Sequence, residues 1–492
     1  MNDERGGGTM HSRPAGKARA GLEGIAGGPH GSVDTLDHLG TTTDGASGEI
    51  GGILVRLLSA DAPAAPSTLW RLDEIDEITI GRASPDGEAP GKGALSIGLD
   101  DPYASTRHAV VTRQGARWLV RDAGSKNGTF VDGQRLETNQ PVALQNEALL
   151  EAGHTFFLFR AGARGNLEIP SIVAPRPSAE PATLNPEWGL ELERFDRLAP
   201  TQHGVLIVGE SGVGKEVLAR RLHERSGRSG PLVPVNCAAL AESLLDDELF
   251  GHVRGAYSGA KGDREGLIRA AHRGTLFLDE VEEMPASLQA KLLRVLEDHT
   301  VRPIGSEAST QVDVRVIAAG NRDLRAMVTE QAFRADLLAR LAGVLVHVPP
   351  LRRRREDLGL LIRAILGEAA ERVRFDMAAL RLLLLHPWPL NVRELRQALL
   401  VALDLAGTEK PHTVIKPRHL PATLRESEAP TPSEGAARKR PVLSVEDERL
   451  RAEILALLER HPGNVAAVAR ELNRPRSSVQ RLMARLGIDR GA

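Results

Sequence analysis

Seven consecutive residues, Gly209, Glu210, Ser211, Gly212, Val213, Gly214 and Lys215, follow the apolar run Val205–Val208 and lead into a helical pattern, Lys215–Arg225. Glycines let such a loop bring its backbone N–H groups close to phosphate oxygens, and the helix N-terminus favours an anion. Lys215 would reach β- and γ-phosphates. The residue after it is Glu216, so the hydroxyl that usually ligates a metal at this place is absent. A second apolar run, Thr275–Leu278, ends in Asp279 and Glu280. At a strand's C-terminal end beside the loop, Asp279 could hold Mg²⁺ and Glu280 could polarise an attacking water. The implied chemistry is hydrolysis of ATP.

These groups need a parallel sheet to bring them together. Buried-type runs at Val205–Val208, Leu232–Val235, Thr275–Leu278 and Val314–Ala318 alternate with helical stretches at Lys215–Arg225 and Ser287–Asp298. That alternation predicts an α/β domain. It spans 187–421, and its last part, 351–421, reads as helical, with Leu-rich faces at Leu358–Leu366 and Leu380–Leu385. Residues 51–163 instead carry short apolar runs between Gly, Asp and Asn turns, the spacing of an all-β sandwich. Residues 444–492 read as three short helices, with Asn473-Arg474-Pro475 as the turn before the last, and the end of the chain is locally basic. Segments 164–186 and 422–443 are Pro-bearing linkers. Residues 1–50 are Gly-rich and lack aromatics. They bury too little apolar surface to offset ordering entropy and are expected to be disordered.

Composition narrows the setting. Lys+Arg number 63 and Asp+Glu 65, so the whole chain is neither a basic nucleic-acid coat nor an acidic tail. The single cysteine, Cys237, excludes an intrachain disulfide and a Cys-rich zinc site. Without a long apolar run or an apolar signal core, the expectation is a cytoplasmic protein with no membrane partner.

From about 203 to 420 the chain resembles the AAA+ domain of sigma-54-dependent bacterial enhancer-binding activators. That family carries Gly-Glu-x-Gly-x-Gly-Lys-Glu, so Glu216 belongs to the pattern. By this resemblance Asn236 is a switch residue that restrains Glu280, Asn321 senses the γ-phosphate, and Arg393 touches nucleotide. The segment Phe333–Leu341 resembles an arginine-finger helix. Arg334 and Arg340 would then complete a neighbour's site, which implies a homo-oligomeric ring. Gly255, Ala256, Tyr257, Ser258, Gly259 and Ala260 resemble the loop Gly-Ala-Phe-Thr-Gly-Ala that engages sigma-54, with Tyr and Ser at its centre here. Gly320 stands where the family has Thr, and Leu390 where it has Gly.

Gly81-Arg82, Ser105–His108 and Ser125–Thr129 resemble the motifs of a forkhead-associated (FHA) domain. That implies a phosphothreonine site made of Arg82, Ser105, Thr106, Lys126 and Asn127, with His108 as a buttress. The guanidinium fork of Arg82 suits phosphate. The partner implied is a phosphothreonine-bearing protein, such as a Ser/Thr kinase. The C-terminal helices resemble the Fis-type helix-turn-helix. Arg474, Arg476, Ser477, Ser478, Gln480, Arg481 and Arg485 would contact double-stranded DNA at upstream sites. The combined expectation is a modular activator that remodels sigma-54 RNA polymerase with ATP and Mg²⁺. The alternative is a phospho-dependent DNA-binding scaffold whose ATP site gates assembly without remodelling.

Overall fold

The computed structural model describes residues 47–82, 93–166, 172–173, 182–407, 412–426 and 465–472, with isolated positions from 454 to 461. From Gly48 onward they belong to one compact unit. The segment expected to be disordered lies outside the described residues up to 46, and so does most of both linkers. Of the C-terminal module, a helix at Val465–Glu471 is described. The expected DNA contacts, Arg474 to Arg485, are outside the described residues.

The first domain holds β1 (Ser47–Ser59), β2 (Ser67–Arg71), β3 (Glu77–Gly81), β4 (Ala94–Gly98), β5 (Ala109–Gln114) and β6 (Arg117–Asp122). It continues with β7 (Thr129–Val131), β8 (Gln134–Arg135), β9 (Val142–Ala143), β10 (Leu149–Ala152), β11 (Thr155–Asn166) and β12 (Ile172–Val173). They form two sheets, ordered β4-β3-β5-β6-β9 and β12-β2-β1-β11-β10-β7-β8. β1 starts inside the segment 1–50, and β12 lies within 164–186, because a neighbouring strand supplies backbone partners that composition does not reveal. Leu54, Ile78, Ile80, Val111, Trp118, Val120, Phe157 and Phe159 fill the space between the sheets.

A sandwich strand with a wet outer face alternates apolar and polar residues. β1 does not: Ile53, Leu54, Val55, Leu57 and Leu58 are all buried. β11 likewise buries Phe156 and Leu158 on the face opposite Phe157 and Phe159. The second face joins a core shared with the helical part of the chain, including Leu358, Ile362, Leu380, Leu384 and Trp388.

The α/β domain begins with α1 (Pro186–Arg197), whose N-cap Asn185 accepts from the Trp188 amide. Then come β13 (Val205–Val208), α2 (Lys215–Glu224), β14 (Leu232–Asn236), α3 (Glu242–Phe250), β15 (Gly251–His252), β16 (Arg264–Glu265), α4 (Leu267–Ala270), β17 (Thr275–Asp279) and α5 (Ala286–Asp298). β18 (Thr300–Val301), β19 (Thr310–Gln311), β20 (Arg315–Gly320), α6 (Leu324–Thr329), α7 (Ala335–Leu341) and β21 (Val344–His347) complete it. The sheet is β14-β17-β20-β13-β21 and all four pairings are parallel. Parallel order aligns the C-terminal ends of β13, β14, β17 and β20 on one edge, where the phosphate loop, Asn236, Asp279 and Gly320 stand. The lid holds α8 (Leu358–Leu366), β22 (Val373–Phe375), α9 (Met377–Leu385), α10 (Asn391–Ala406), β23 (Thr413–Ile415) and α11 (Ala422–Glu426).

The sandwich is fixed to the lid by polar contacts around the shared core. Arg381 of α9 makes a two-pronged ion pair with buried Glu151 of β10, both distances 2.7 Å, and its guanidinium lies 5.4 Å from the Phe130 ring centre. Arg160 pairs with Glu356 at 2.7 Å. Arg355 donates to the Glu147 carbonyl, Arg363 to the Ala65 carbonyl, and the Phe375 amide to the Ala60 carbonyl. A Cβ on Gly359 would stand 1.9 Å from the Leu57 carbonyl oxygen, so α8 packs directly on the β1 backbone.

Candidate nucleotide, phosphopeptide and sigma-factor sites

The phosphate loop runs from β13 into α2. Gly212 and Gly214 have φ of 78° and 103°, the left-handed region that glycine reaches without a steric cost. A Cβ on Gly212 would lie 2.3 Å from the Leu390 carbonyl oxygen, so the lid presses on the loop. Lys215 Nζ donates to the carbonyls of Gly209 (2.8 Å) and Glu210 (3.3 Å). Burial holds the Lys215 ammonium below its ordinary pKa, against the opposing pull of Asp279, Glu282 and Glu280. Burial likewise raises the Asp279 carboxyl, with Lys215 opposing. Glu216 points outward and pairs with Arg220 at 3.3 Å.

Asn236 and Asp279 are in register on adjacent strands. Asn236 Oδ1 accepts from the amides of Ala238 (2.8 Å) and Ala239 (3.0 Å), which bends the chain away from the strand end. Glu280 follows Asp279 with φ 52° and ψ 46°, a left-handed backbone that a non-glycine residue adopts at a cost. Asn321 directly follows β20, and its side chain is exposed.

The lid contributes more than Arg393, which donates to Ser211 Oγ at 2.9 Å. Arg352 binds Glu210 through both nitrogens, at 2.7 and 2.5 Å. Asn391 donates to Glu210 (3.1 Å) and to the Ser211 carbonyl (3.0 Å). Arg354 donates to the Val213 carbonyl at 2.8 Å. The Arg352 hydrogen bonds pull the Glu210 carboxyl down to about 2. Sequence reasoning placed Glu210 in the loop but missed Arg352, Arg354 and Asn391. The run Arg352–Arg355 and the segment Trp388–Leu395, which holds Asn391, were the visible signals. Trp388 and Asn391 both take positive φ, and Asn391 is fully buried.

Arg334 caps α7 and pairs with Asp336 at 2.7 Å, and Arg340 lies in the helix's last turn. Both are exposed.

The loop after β15 forms a compact turn. The Gly255 amide donates to the Ala260 carbonyl (2.9 Å), and Ala260 to the Tyr257 carbonyl (3.1 Å). Tyr257 is 49% exposed and rests edge-on against His252, ring centres 5.2 Å apart. Ser258 and Gly259 are exposed, Ala256 is half-buried and Ala260 is buried. His252 is held by Asp247 at 2.5 Å, and Asp247 by Arg264 at 3.1 Å. A Cβ on Gly305 would lie 2.7 Å from Ala256 Cβ, so the turn between β18 and β19 supports the loop.

In the sandwich, the expected phosphate-binding residues gather at one end. The Arg82 amide donates to the Ser105 carbonyl at 2.9 Å. Ser105 Oγ accepts from the Lys126 amide (3.0 Å), and Asn127 Nδ2 donates to the Tyr103 carbonyl (2.7 Å). Arg82, Thr106, Lys126 and Asn127 are exposed there. Buried His108 accepts from the Ser105 amide (3.1 Å) and bonds the Gly128 carbonyl (3.1 Å), so it ties the two loops as a buttress. Burial raises the Asp122 carboxyl, but hydrogen bonds from Ser125, Thr129 and the Gly124 amide outweigh it and leave the group below its usual range. Arg107, one place beyond Thr106, is drawn off toward Glu77 at 3.7 Å.

Burial pushes the Cys237 thiol up to about 12, so it is no nucleophile. Among the described residues no cluster of three His, Cys, Asp or Glu could hold a metal alone, and no helix is long and apolar enough to cross a membrane.

Family models match at 185–347 (sigma-54 interaction domain), 78–153 (FHA domain) and 352–437 (AAA+ ATPase lid domain). The chain is 41% identical over 304 residues to the regulatory protein AtoC of Escherichia coli, covering 60% of this chain and 64% of AtoC. It is 40% identical over 365 residues to the anaerobic nitric oxide reductase transcription regulator NorR of Aeromonas hydrophila, covering 70% of each. Among solved structures, NtrX of Brucella abortus in complex with ADP is 33% identical, with 61% of this chain and 68% of that one covered and a TM-score of 0.46. The match thus spans a little under two thirds of AtoC. The chain belongs to the transcription regulators that carry a sigma-54 interaction domain of the AAA+ ATPase class, here preceded by an FHA domain.

Proposed function

We propose that this protein is a sigma-54-dependent transcription activator that hydrolyses ATP in an oligomeric ring and takes its input from a phosphothreonine-bearing partner. The observation that carries the reading is the convergence of Lys215, Asp279, Glu280 and Asn321 on one sheet edge, with the lid's Arg393 and Arg352 bound to the same loop. Lys215 binds the terminal phosphates. Glu280 orients and polarises the attacking water. Asn321 contacts the γ-phosphate, and Asn236 sets the turn beside it. Arg334 and Arg340 face outward and serve the neighbour's site, where an arginine finger contributes about 10³–10⁵ in rate.

Asp279 would hold Mg²⁺. One protein carboxylate with phosphate and water oxygens fits, since Mg²⁺ is commonly bound through one or two carboxylates and the substrate's phosphates. Bound there, the ion neutralises charge developing on the phosphoryl oxygens.

Hydrolysis moves the 255–260 turn against sigma-54, with the exposed Tyr257 ring as contact anchor. Arg82, Ser105, Thr106, Lys126 and Asn127 bind the phosphothreonine peptide. The C-terminal helices, through Arg474, Arg476, Ser477, Ser478, Gln480, Arg481 and Arg485, hold the ring on upstream DNA. The test is transcription in vitro with sigma-54 RNA polymerase, ATP and an enhancer-bearing template, with and without a phosphorylated partner. Open-complex formation that needs hydrolysable ATP is expected. ATP turnover without an open complex on such templates overturns the remodelling claim and leaves the scaffold reading.

A further inference from the structure

Glu282 lies in the short turn after β17 and is 5% exposed. Its Oε1 accepts the Asn321 amide at 2.9 Å. Its Oε2 is buried without a hydrogen-bond partner and faces Gly320, where a Cβ would stand 2.6 Å away. Gly320 in turn offers its carbonyl to the Gly209 amide at 3.2 Å. One carboxylate therefore links three catalytic segments: the turn that carries Glu280, the strand end that presents Asn321, and the first residue of the phosphate loop. A buried carboxylate is costly to keep, and an unpartnered oxygen adds to that cost. Neither Glu280 nor Asn321 is anchored through its own side chain by this arrangement, so the backbone must set their positions.

We infer that Glu282 is the positioning residue of this site: by holding the Asn321 amide it locks the γ-phosphate sensor to the Glu280 turn, and Gly320 lacks a side chain because the Glu282 carboxylate fills its place. The inference rests on the proposed ATP hydrolysis. It also explains Gly320, which the resemblance alone left as an unexplained departure from Thr. A side chain at 320 would have to displace the carboxylate, and the carboxylate cannot swing out freely because its other oxygen is bonded.

The test uses the full chain. Steady-state ATP turnover and the affinity for a fluorescent ADP are measured for wild type, Glu282→Ala, Glu282→Gln, Gly320→Ala and the Glu282→Ala/Gly320→Ala double variant. Misplacement of a reacting group costs up to about 100-fold. Glu282→Ala is therefore expected to lower kcat by about 10- to 100-fold while ADP affinity stays within about threefold. Glu282→Gln retains most turnover, since its amide oxygen still accepts from Asn321. Gly320→Ala lowers kcat, and the double variant is no slower than Glu282→Ala, because both changes act through one carboxylate. The inference is overturned if Glu282→Ala turns over like wild type, if it loses ADP binding together with turnover, if Glu282→Gln is as slow as Glu282→Ala, or if the two losses multiply. A wild type that binds ADP but does not hydrolyse ATP refutes the underlying reading instead.

Discussion

Single residues here are governed by burial set against one or two specific partners. Glu280 is held in a left-handed backbone at the end of β17, which turns the chain out of the strand at this residue. Replacing it by Gln removes the carboxylate proposed to polarise water but keeps the volume. Nucleotide binding should persist while hydrolysis falls by about 10²-fold or more, and undiminished phosphate release would remove Glu280 from the mechanism. Asp357 shows the same balance in a structural role. It accepts from the Leu184 amide at 2.7 Å and from Thr183 Oγ1, tying the chain before α1 to the lid. Burial raises its carboxyl to about 6, with Arg354 opposing. A raised carboxyl favours the folded state below its ordinary range, and this contribution is lost as pH rises through about 6. Thermal midpoints should therefore show wild type losing ground to Asp357→Asn between about pH 4 and pH 6. A constant difference over that range would contradict the assignment.

At the scale of elements, the sites are made where strand ends meet loops. The end of β3 presents Arg82 because Gly81 lets the Ser105–Thr106 loop approach: a Cβ at 81 would lie 2.0 Å from the Thr106 carbonyl oxygen. Arg82→Ala would remove the charge-assisted hydrogen bond proposed for the phosphate, worth about 1.5–3 kcal/mol, so phosphothreonine peptides should bind about 10- to 100-fold more weakly. Ser105→Ala should act in the same direction, and Gly81→Ala should weaken binding by displacing the loop. Calorimetry with paired phosphorylated and unphosphorylated peptides checks this, and equal binding of both peptides by wild type would end the phosphopeptide reading. Much of this level was legible in sequence. The runs at Val205–Val208, Thr275–Leu278 and Leu358–Leu366 fall on β13, β17 and α8 because apolar periodicity and glycine breaks are local signals. β2, β4 and β10 were not foreseen. Each is only four or five residues long, and they are strands because a neighbour completes their hydrogen bonds.

For the molecule as a whole, the outer face of the sandwich is as informative as its core. β1 and β11 are apolar on both faces, and the second face is covered by α8 and α9. Glu151 is buried in that contact, and both of its carboxylate oxygens are paired with Arg381. Removing one partner of a buried ion pair leaves an uncompensated charge and costs about 3–5 kcal/mol. Arg381→Ala should thus lower stability in chemical denaturation by about that amount, and Glu151→Leu/Arg381→Met should recover much of it. A loss below about 1 kcal/mol, the range of exposed pairs, would show that the contact does not hold the sandwich to the lid in solution.

The sequence by itself determined the local chemistry: a glycine-bearing phosphate loop with Lys215, an acid pair ending a strand, an exposed aromatic between glycines, and a β-rich segment with Arg82 and Ser105 at turns. Each of these is a short-range pattern, set by backbone freedom and apolar periodicity. Only the tertiary structure decided which groups meet across long separations. Glu282 finds Asn321, Arg352 finds Glu210, and Arg381 finds Glu151. The physical reason is common to all three: a charged side chain reads as solvated surface in sequence, and only the packing around it makes its partner obligatory.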